Sequence, residues 1–450
     1  MHDVIVVGAG FAGLSAAQAL RAQGVENIAV LEARDRVGGR VKAGTLAGLS
    51  IDLGGMWLGP SQRRFRQLVQ RYDLNTYSTF LDGKGVYSLA GKTVQGERED
   101  FSGLFSIPEG LRYLLADRQL KKWVKACDPN APWDHPDAEK LDNMTVETWI
   151  ARALPTKRLR ALFQLICFSV FCAEAAQISM LFFVHYLKSG EGLDILISSD
   201  EGGAQNFLVE GGTFRLAERM ADELGDALHL NTPVSALRYE PQSVEIVAAD
   251  RSFHARKVII ALPATLIPEL LFSPPLPTCK RILHERLVMG SAIKYWVAYE
   301  TPFWREAGLN GTIVDDQHAA SPCFDVSPPN AEMGVLAGFF DGDHALRAGD
   351  DGPEARKETV LRMLSAHFGP KAMEALDYQE QNWVNTRWSR GCYGAFAPPG
   401  VYARYGPYLR QSIGPIHWAG TETATEWTGY IEGALQSGTR AADEVVASLS

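Results

Sequence analysis

His2-Asp3-Val4-Ile5-Val6-Val7 is an apolar, β-branched run of strand length. It breaks at Gly8-Ala9-Gly10-Phe11-Ala12-Gly13 and continues as an alanine-rich helical stretch to Gln23. No other feature restricts the fold as much. Gly8 permits a tight turn, Gly10 leaves room for a pyrophosphate against the backbone, and Gly13 allows the helix to pack closely on the strand. The start of that helix offers free N–H groups and the positive end of its dipole to phosphate. A second strand, Ile28-Ala29-Val30-Leu31, ends in Glu32, about twenty residues on, where a ribose-binding carboxylate is expected. Strand, glycine turn, helix and acid together predict a dinucleotide site in an α/β fold, with Gly8, Gly10, Gly13 and Glu32 as its candidates. The competing reading is a glycine-rich turn in an unrelated α/β domain.

Composition narrows the class. At 450 residues, 46% apolar, the chain can bury a large core and suggests two domains. Its net charge of −9 carries no concentrated basic stretch, which excludes nucleic acid as an expected partner. Cysteines 127, 167, 172, 279, 323 and 392 show no CxxC and no framework spacing, so reduced thiols in a cytoplasmic compartment are expected. They also show no metal-ligand spacing, and no metal is expected. The first strand begins too early to leave room for a secretory leader. No apolar stretch approaches the ~20 residues of a membrane span. Leu181-Phe-Phe-Val-His-Tyr-Leu187 is too short and reads as a buried helix. A soluble protein without membrane contact is expected.

Along the chain, residues 79 to about 207 read as largely helical, broken by Asp128-Pro-Asn-Ala-Pro-Trp-Asp-His-Pro136. A strand, turn and helix follow: Phe207-Leu-Val209, Gly211-Gly212, then a helix to Leu224. β-like runs end at Val258-Ile-Ile-Ala-Leu-Pro263. Residues 289–386 mix strands such as Ala292–Tyr299 with a helix near Glu354–His367. The last segment carries Ile416-His-Trp-Ala-Gly420 and a closing helix from about Tyr430. Periodicity alone gives α/β and no more.

Two segments sharpen the reading. Glu32-Ala-Arg34-Asp-Arg36-Val-Gly38-Gly39-Arg40 follows the second strand; its glycines allow close backbone approach, and its arginines can meet phosphate with fork geometry. Far away lie Cys392-Tyr393 and Trp427-Thr-Gly-Tyr430-Ile-Glu-Gly433. With Leu53-Gly-Gly-Met-Trp57-Leu-Gly-Pro60, Glu201-Gly-Gly-Ala-Gln205, Gly290-Ser-Ala-Ile-Lys294, Arg390-Gly-Cys-Tyr-Gly394 and Ala419-Gly-Thr-Glu-Thr-Ala424 in one order, the chain resembles the flavin-containing monoamine oxidases nearly end to end. It looks like a soluble, bacterial-type relative of the animal enzymes. It departs from them at Ala43, where a hydroxyl residue is usual, and at Trp57, where Tyr is commoner.

The resemblance implies an FAD-binding Rossmann-like domain of the GR2 type, built from residues 1–78, 208–288 and 387–450. An inserted α+β substrate domain would comprise 79–207 and 289–386. Gly39, Arg34 and Arg40 join the cofactor candidates. So do Val234, whose backbone matches one that meets adenine, Thr421 and Glu422 in the final contact motif, and Ile431 at the start of the closing helix. That helix's N–H end would face the ring side that carries negative charge when reduced. Cys392 matches the cysteine that forms a thioether to the 8α-methyl carbon of FAD, which thiolate character near a positive field would favour. On residue type alone it reads as a buried free thiol. Tyr393 and Tyr430 match two tyrosines that hold an amine between their rings before the flavin; the bland reading is aromatic packing. Lys294 matches a lysine that reaches flavin N5 through a water and assists reaction with dioxygen; alternation alone would allow it a strand's solvent face. Gln205 matches a residue that orients the amine, Ile197 a gate, and Trp57, Ile166 and Phe339 pocket walls. Each is equally readable as core. Near Cys323-Phe324 the match slips, and neither residue is assigned.

The reaction implied is oxidative deamination of a small primary or secondary amine to an imine and then an aldehyde or ketone, with dioxygen reduced to hydrogen peroxide. A polyamine would need carboxylates along the channel, and an amino acid a carboxylate-binding arginine; the motifs show neither. The rivals are an FAD-dependent dehydrogenase serving a protein or quinone acceptor, and a flavoprotein without catalysis. Relatives often form homodimers, although no interface signature is visible.

Overall fold

The strand His2–Val7 lies between Ile28–Leu31 and Arg251–Ile260, parallel to both. This is the central register of the computed structural model, which describes residues 1–329 and 331–449. Ile416–Trp418 adds a parallel neighbour to Arg251–Ile260, and Leu228–His229 extends the other side beyond Ile28–Leu31. Val4 to Val7 and all of Ile28–Leu31 are buried, as expected of parallel strands covered on both faces. The sheet then turns antiparallel through Ser243–Ala248 and Val234–Glu240, with Leu271–Ser273 at the edge. One sheet thus draws strands from three distant stretches of chain.

The helix Phe11–Ala22 and the closing helix Ile431–Leu449 cover this sheet together. Ser15 Oγ donates to the Leu435 carbonyl at 2.9 Å. A Cβ on Gly438 would collide with the Ala12 carbonyl oxygen, and one on Gly13 with that of Gly8; neither approach tolerates a side chain.

A second sheet runs in the order 377–382, 292–299, 334–341, 323–325, 309–315, 84–89, 92–97. Its pairs are antiparallel except Leu309–Asp315 with Lys84–Leu89. Ala292–Tyr299 and Gly334–Asp341 are buried along their whole length. A small sheet ties Phe207–Val209 to Trp57–Leu58 and Thr76–Ser78. Helices Ile107–Ala126, Val146–Ala153, Lys157–Phe171 and Met180–Ser189 contribute to one apolar cluster beside the second sheet. The stretch Leu181–Leu187 is buried helix. Among the described residues no helix is long and apolar enough to cross a membrane.

The expectation of a largely helical 79–207 misses a hairpin. Lys84–Leu89 and Lys92–Glu97 pair across Ala90 and Gly91, whose φ values of 50° and 80° suit a tight two-residue turn. Lys84–Leu89 pairs on its other side with Leu309–Asp315, a strand far off in sequence that no local pattern announces.

Candidate active site

A cavity of about 700 Å³ opens at the carboxyl end of the first sheet's parallel strands and continues to the second sheet. Such a crevice is where open α/β sheets take ligands. Gly8, Gly10, Glu32, Arg34, Gly39, Arg40, Val234, Thr421 and Ile431 line it, with Cys392, Tyr393, Tyr430 and Lys294. Trp57, Ile166, Ile197, Gln205 and Phe339 line the same cavity. Gly13 and Glu422 are not. Gly13 sits beneath the glycine loop, packed on Gly8, and Glu422 lies behind Arg40.

At the glycine-loop end, the helix starting at Phe11 has Gly10 as N-cap, no side-chain cap and no acid in its first turn. Its leading N–H groups therefore have no intrahelical partner. Glu32, buried, accepts from Ala9 N–H at 2.8 Å and from Arg34 N–H at 3.0 Å, so it shapes the loop as well as facing the cavity. The three arginines of the following motif separate in role. Arg34 donates to Ser389 Oγ at 2.7 Å and bridges to the Cys392 loop. Arg40 donates to the Tyr393 carbonyl at 2.8 Å and pairs with Glu422 at 2.7 Å. Arg36 differs from the expectation of a phosphate fork. It is spent on the carbonyls of Val37, Gly39 and Val41, because the tight turn leaves those acceptors pointing inward.

Arg40 and Glu422 also fix the C-terminal loops. Burial acts against charge on Glu422, but the Arg40 guanidinium outweighs it and holds the carboxyl below its usual value. Glu422 further accepts from Ala395 N–H at 3.2 Å, and Thr421 Oγ1 donates to the Tyr430 carbonyl at 2.8 Å. A Cβ on Gly394 would stand 3.5 Å from Gly429 Cα, so the 392–394 and 429–430 turns touch. Tyr393 meets Phe339 edge-on at 5.8 Å and 85°. Tyr430 packs edge-on against Trp427 at 5.0 Å and lies 6.2 Å from Tyr186. Burial pushes both phenols up, leaving them neutral.

Cys392 is buried, with Arg40, Lys294 and Arg34 near enough to favour a thiolate. Burial outweighs all three and pushes the thiol up to about 12. The expected thiolate character is therefore absent from the bare site, since the surroundings remove more hydration than the cations repay.

Lys294 is 2% exposed in a strand with no solvent face. Its Nζ donates to the carbonyls of Asp52 and Gly54, both at 2.8 Å, and to Met56 Sδ at 2.9 Å. The thioether is a weak acceptor, so that third donor is the one free to turn into the cavity. Burial pulls the ammonium below the ordinary lysine value, with Asp52 and Cys392 opposing. Burial likewise raises the Asp52 carboxyl, against the Thr213 and Phe214 amides and Lys294.

On the far wall Trp57 meets Phe324 edge-on at 5.3 Å and Phe339 at 6.0 Å. Gln205 Nε2 donates to the Leu196 carbonyl at 3.0 Å, while its Oε1 is buried without a partner among the described residues. Several wall residues escaped the motifs. Phe324 lines the cavity while Cys323 does not; Thr312, Val314 and Tyr186 also line it. Contrary to the expectation of no channel carboxylates, Glu99 and Asp194 line the cavity too. Both are engaged: Glu99 accepts from Ser198 Oγ and Ser199 N–H at 2.6 Å, and Asp194 pairs with Lys121 at 3.4 Å.

The family model described as flavin containing amine oxidoreductase matches residues 11–446. The chain belongs to this family. It is therefore a flavoenzyme of the amine oxidase type. A Mycobacterium tuberculosis protein named as a flavin-containing monoamine oxidase is 37% identical over 452 residues, covering 99% of this chain and 97% of that one. Flavin-containing amine oxidase B of Homo sapiens is 34% identical over 458 residues, covering 99% of this chain and 86% of its own. Among solved structures, putrescine oxidase bound to putrescine superposes with a TM-score of 0.94 at 31% identity, over 99% of both chains. Cyclohexylamine oxidase from Brevibacterium oxydans gives 0.94 at 31%, over 100% of this chain and 99% of that one. The fold is thus the FAD-binding fold of the amine oxidases. FAD also fits the residues present. The uncapped helix start suits a pyrophosphate, Glu32 at the end of Ile28–Leu31 would suit a ribose, and the buried Lys294 lines the same cavity.

Proposed function

We propose that this enzyme deaminates small primary or secondary amines with apolar or aromatic bodies, using dioxygen as electron acceptor and releasing hydrogen peroxide. FAD, when bound, supplies acceptance of two electrons from the carbon bearing the nitrogen and their return to dioxygen. The observation that carries the reading is one cavity wall shared by Tyr393, Tyr430, Lys294 and the glycine loop.

The chain's own groups suit a neutral amine. Both phenols stay protonated, offering π faces and no charge. Gln205 Oε1 has a free lone pair for an amine N–H. The carboxylates on the wall are engaged: Glu32 by Ala9 and Arg34, Glu99 by the serines, Asp194 by Lys121, and Glu269 by Arg390. Glu99 has no cation paired to it among the described residues, so what favours monoamines over the diamine in the putrescine oxidase relative is the apolar and aromatic lining around Trp57, Ile166, Ile197 and Phe339. Lys294 would hold positive charge where electrons pass to dioxygen.

We further assign the flavin half to 1–78, 208–288 and 387–450 and the substrate half to 79–207 and 289–386. Covalent attachment through Cys392 belongs to the same reading. Cys392 Sγ would hold the flavin's 8α carbon in a thioether, the lost S–H and C–H giving two electrons and two protons to dioxygen as hydrogen peroxide. Six unpaired cysteines support a reducing, cytoplasmic-type compartment.

The test is a panel of arylalkyl, cyclic and diamine substrates with dioxygen as sole acceptor. Peroxide equal to amine consumed, with arylalkyl or cyclic amines preferred, is expected. Turnover only on adding a quinone would overturn the acceptor, and a preferred diamine would overturn the pocket reading. Acid-precipitated wild-type protein should stay yellow, and Cys392→Ser should release its flavin; colourless wild-type pellets would reject the thioether.

A further inference from the structure

The second sheet carries a cluster that the amine chemistry does not use. Strand Leu309–Asp315 ends in a buried carboxylate. Asp315 Oδ1 accepts from Gln317 N–H at 2.5 Å, and the Asp315 N–H donates to Ser321 Oγ at 2.8 Å. Its Oδ2 stands 2.7 Å from His318 Nδ1 and 2.7 Å from His367 Nε2. His318 lies in the loop before Cys323–Asp325, and His367 in the last turn of helix Pro353–Phe368. The three candidate donor atoms lie within 4.8 Å of one another.

We propose that Asp315, His318 and His367 bind a divalent transition-metal ion of the zinc class, clipping the 316–322 loop to the end of helix Pro353–Phe368. Two imidazoles and one carboxylate are a donor set that zinc accepts, with a fourth position left to water. At zinc's usual bond lengths of ~2.0–2.1 Å, tetrahedral donor atoms stand ~3.3 Å apart. Binding therefore replaces the two imidazole–carboxylate hydrogen bonds and spreads the donors by ~0.6 Å, which a loop and a helix end can absorb. The Asp315 side chain is 1% exposed and that of His367 10%, whereas His318 is 38% exposed and gives the ion a way in.

The surroundings supply room for the open position. A second cavity of about 200 Å³ is lined by Asp315, His318, Ser321, Asp341 and His344, polar enough to hold water. Leu165 walls this cavity and the main one alike, and the 316–322 loop runs into Pro322 and Phe324 on the main wall. A bound ion would thus fix one side of the substrate cavity.

The experiment uses the flavin-loaded full chain, freed of metal with a chelator that is then removed, and zinc chloride as probe. Equilibrium dialysis with metal analysis should find one zinc per chain, and thermal unfolding should shift upward with zinc. His318→Ala and His367→Gln should each weaken zinc binding at least ~10-fold while amine turnover persists. His318 is half-exposed, so its variant carries the test if His367→Gln fails to fold. No retained zinc overturns the proposal. So does zinc held equally by both variants, which would mean binding elsewhere, for instance at the free thiols.

Discussion

Lys294→Met separates the two halves of the catalytic cycle. Methionine nearly fills the lysine's volume but removes three contacts, to the Asp52 carbonyl, the Gly54 carbonyl and Met56 Sδ. The Asp52 carbonyl keeps Trp296 Nε1 at 3.1 Å, so Gly54 is the carbonyl left bare. One orphaned buried carbonyl costs ~1–3 kcal/mol, and relief from burying an ammonium offsets part of that. The variant should therefore fold, with a melting temperature a few degrees from wild type. Removing one preorganised charge beside developing negative charge costs roughly 10²–10³-fold, or about 2.7–4 kcal/mol. That loss should fall on the dioxygen step. Anaerobic flavin bleaching by amine should slow by less than ~10-fold, about 1.4 kcal/mol. Stopped-flow measurement of each half-reaction reads both numbers. Burial lowers the Lys294 pKa, with Asp52 and Cys392 opposing, so the proton leaves below the pH at which a free lysine loses it. The wild-type dioxygen rate should fall as pH rises through that lowered value, and the variant's should not. An unchanged dioxygen step, or equal slowing of both steps, would refute the reasoning.

Other substitutions probe the supporting structure. Glu422→Ala leaves the largely buried Arg40 guanidinium without its carboxylate, and should cost ~3–5 kcal/mol in denaturant unfolding; a loss under ~1 kcal/mol would mean the pair does not hold the Cys392 loop. Phe339→Ala removes the ring that meets Tyr393 edge-on. An aromatic pair of ~0.5–1.5 kcal/mol predicts a fall of roughly 2–13-fold in kcat/KM for small amines, with bulkier amines gaining; equal losses for both would sink the wall assignment. Asp341 is fully buried with only the weak Cys172 thiol against its carboxyl, and burial pushes that carboxyl well above the usual value. The folded state then holds a proton that the unfolded state has released, so this residue's contribution to stability falls as pH rises above about 4. Asp341→Asn has no such slope, and its advantage in melting temperature over wild type should grow between pH 4 and 8. A difference independent of pH would show the group ionised in the fold.

Much of the site was legible because its signals are local. The strand His2–Val7, its glycine turn and the acid after Ile28–Leu31 are set by β-branched runs and glycine spacing. The tyrosines and Cys392 stand in short local motifs, and all three line the cavity. Less was legible where a residue's role depends on a partner far away. Arg36 and Arg40 look alike in sequence, yet one closes its own turn and the other reaches Tyr393, 353 residues on. Alternation allowed Lys294 a solvent face, which the distant segment carrying Asp52, Gly54 and Met56 covers. Glu99 and Phe324 belong to no motif and reach the cavity because the strands or loops carrying them pack there.

By itself, then, the sequence determined the strand–glycine–helix start, the amine oxidase family and most of the candidate residues that line one cavity. Only the tertiary structure decided which charges are paired, which wall each side chain faces, and that the Asp315 cluster exists at all. The physical reason is range: glycine conformations and apolar periodicity act between neighbours along the chain. Burial and ion pairing act between surfaces that meet only once the chain's ends, such as Ser15 and Leu435, 420 residues apart, have packed together.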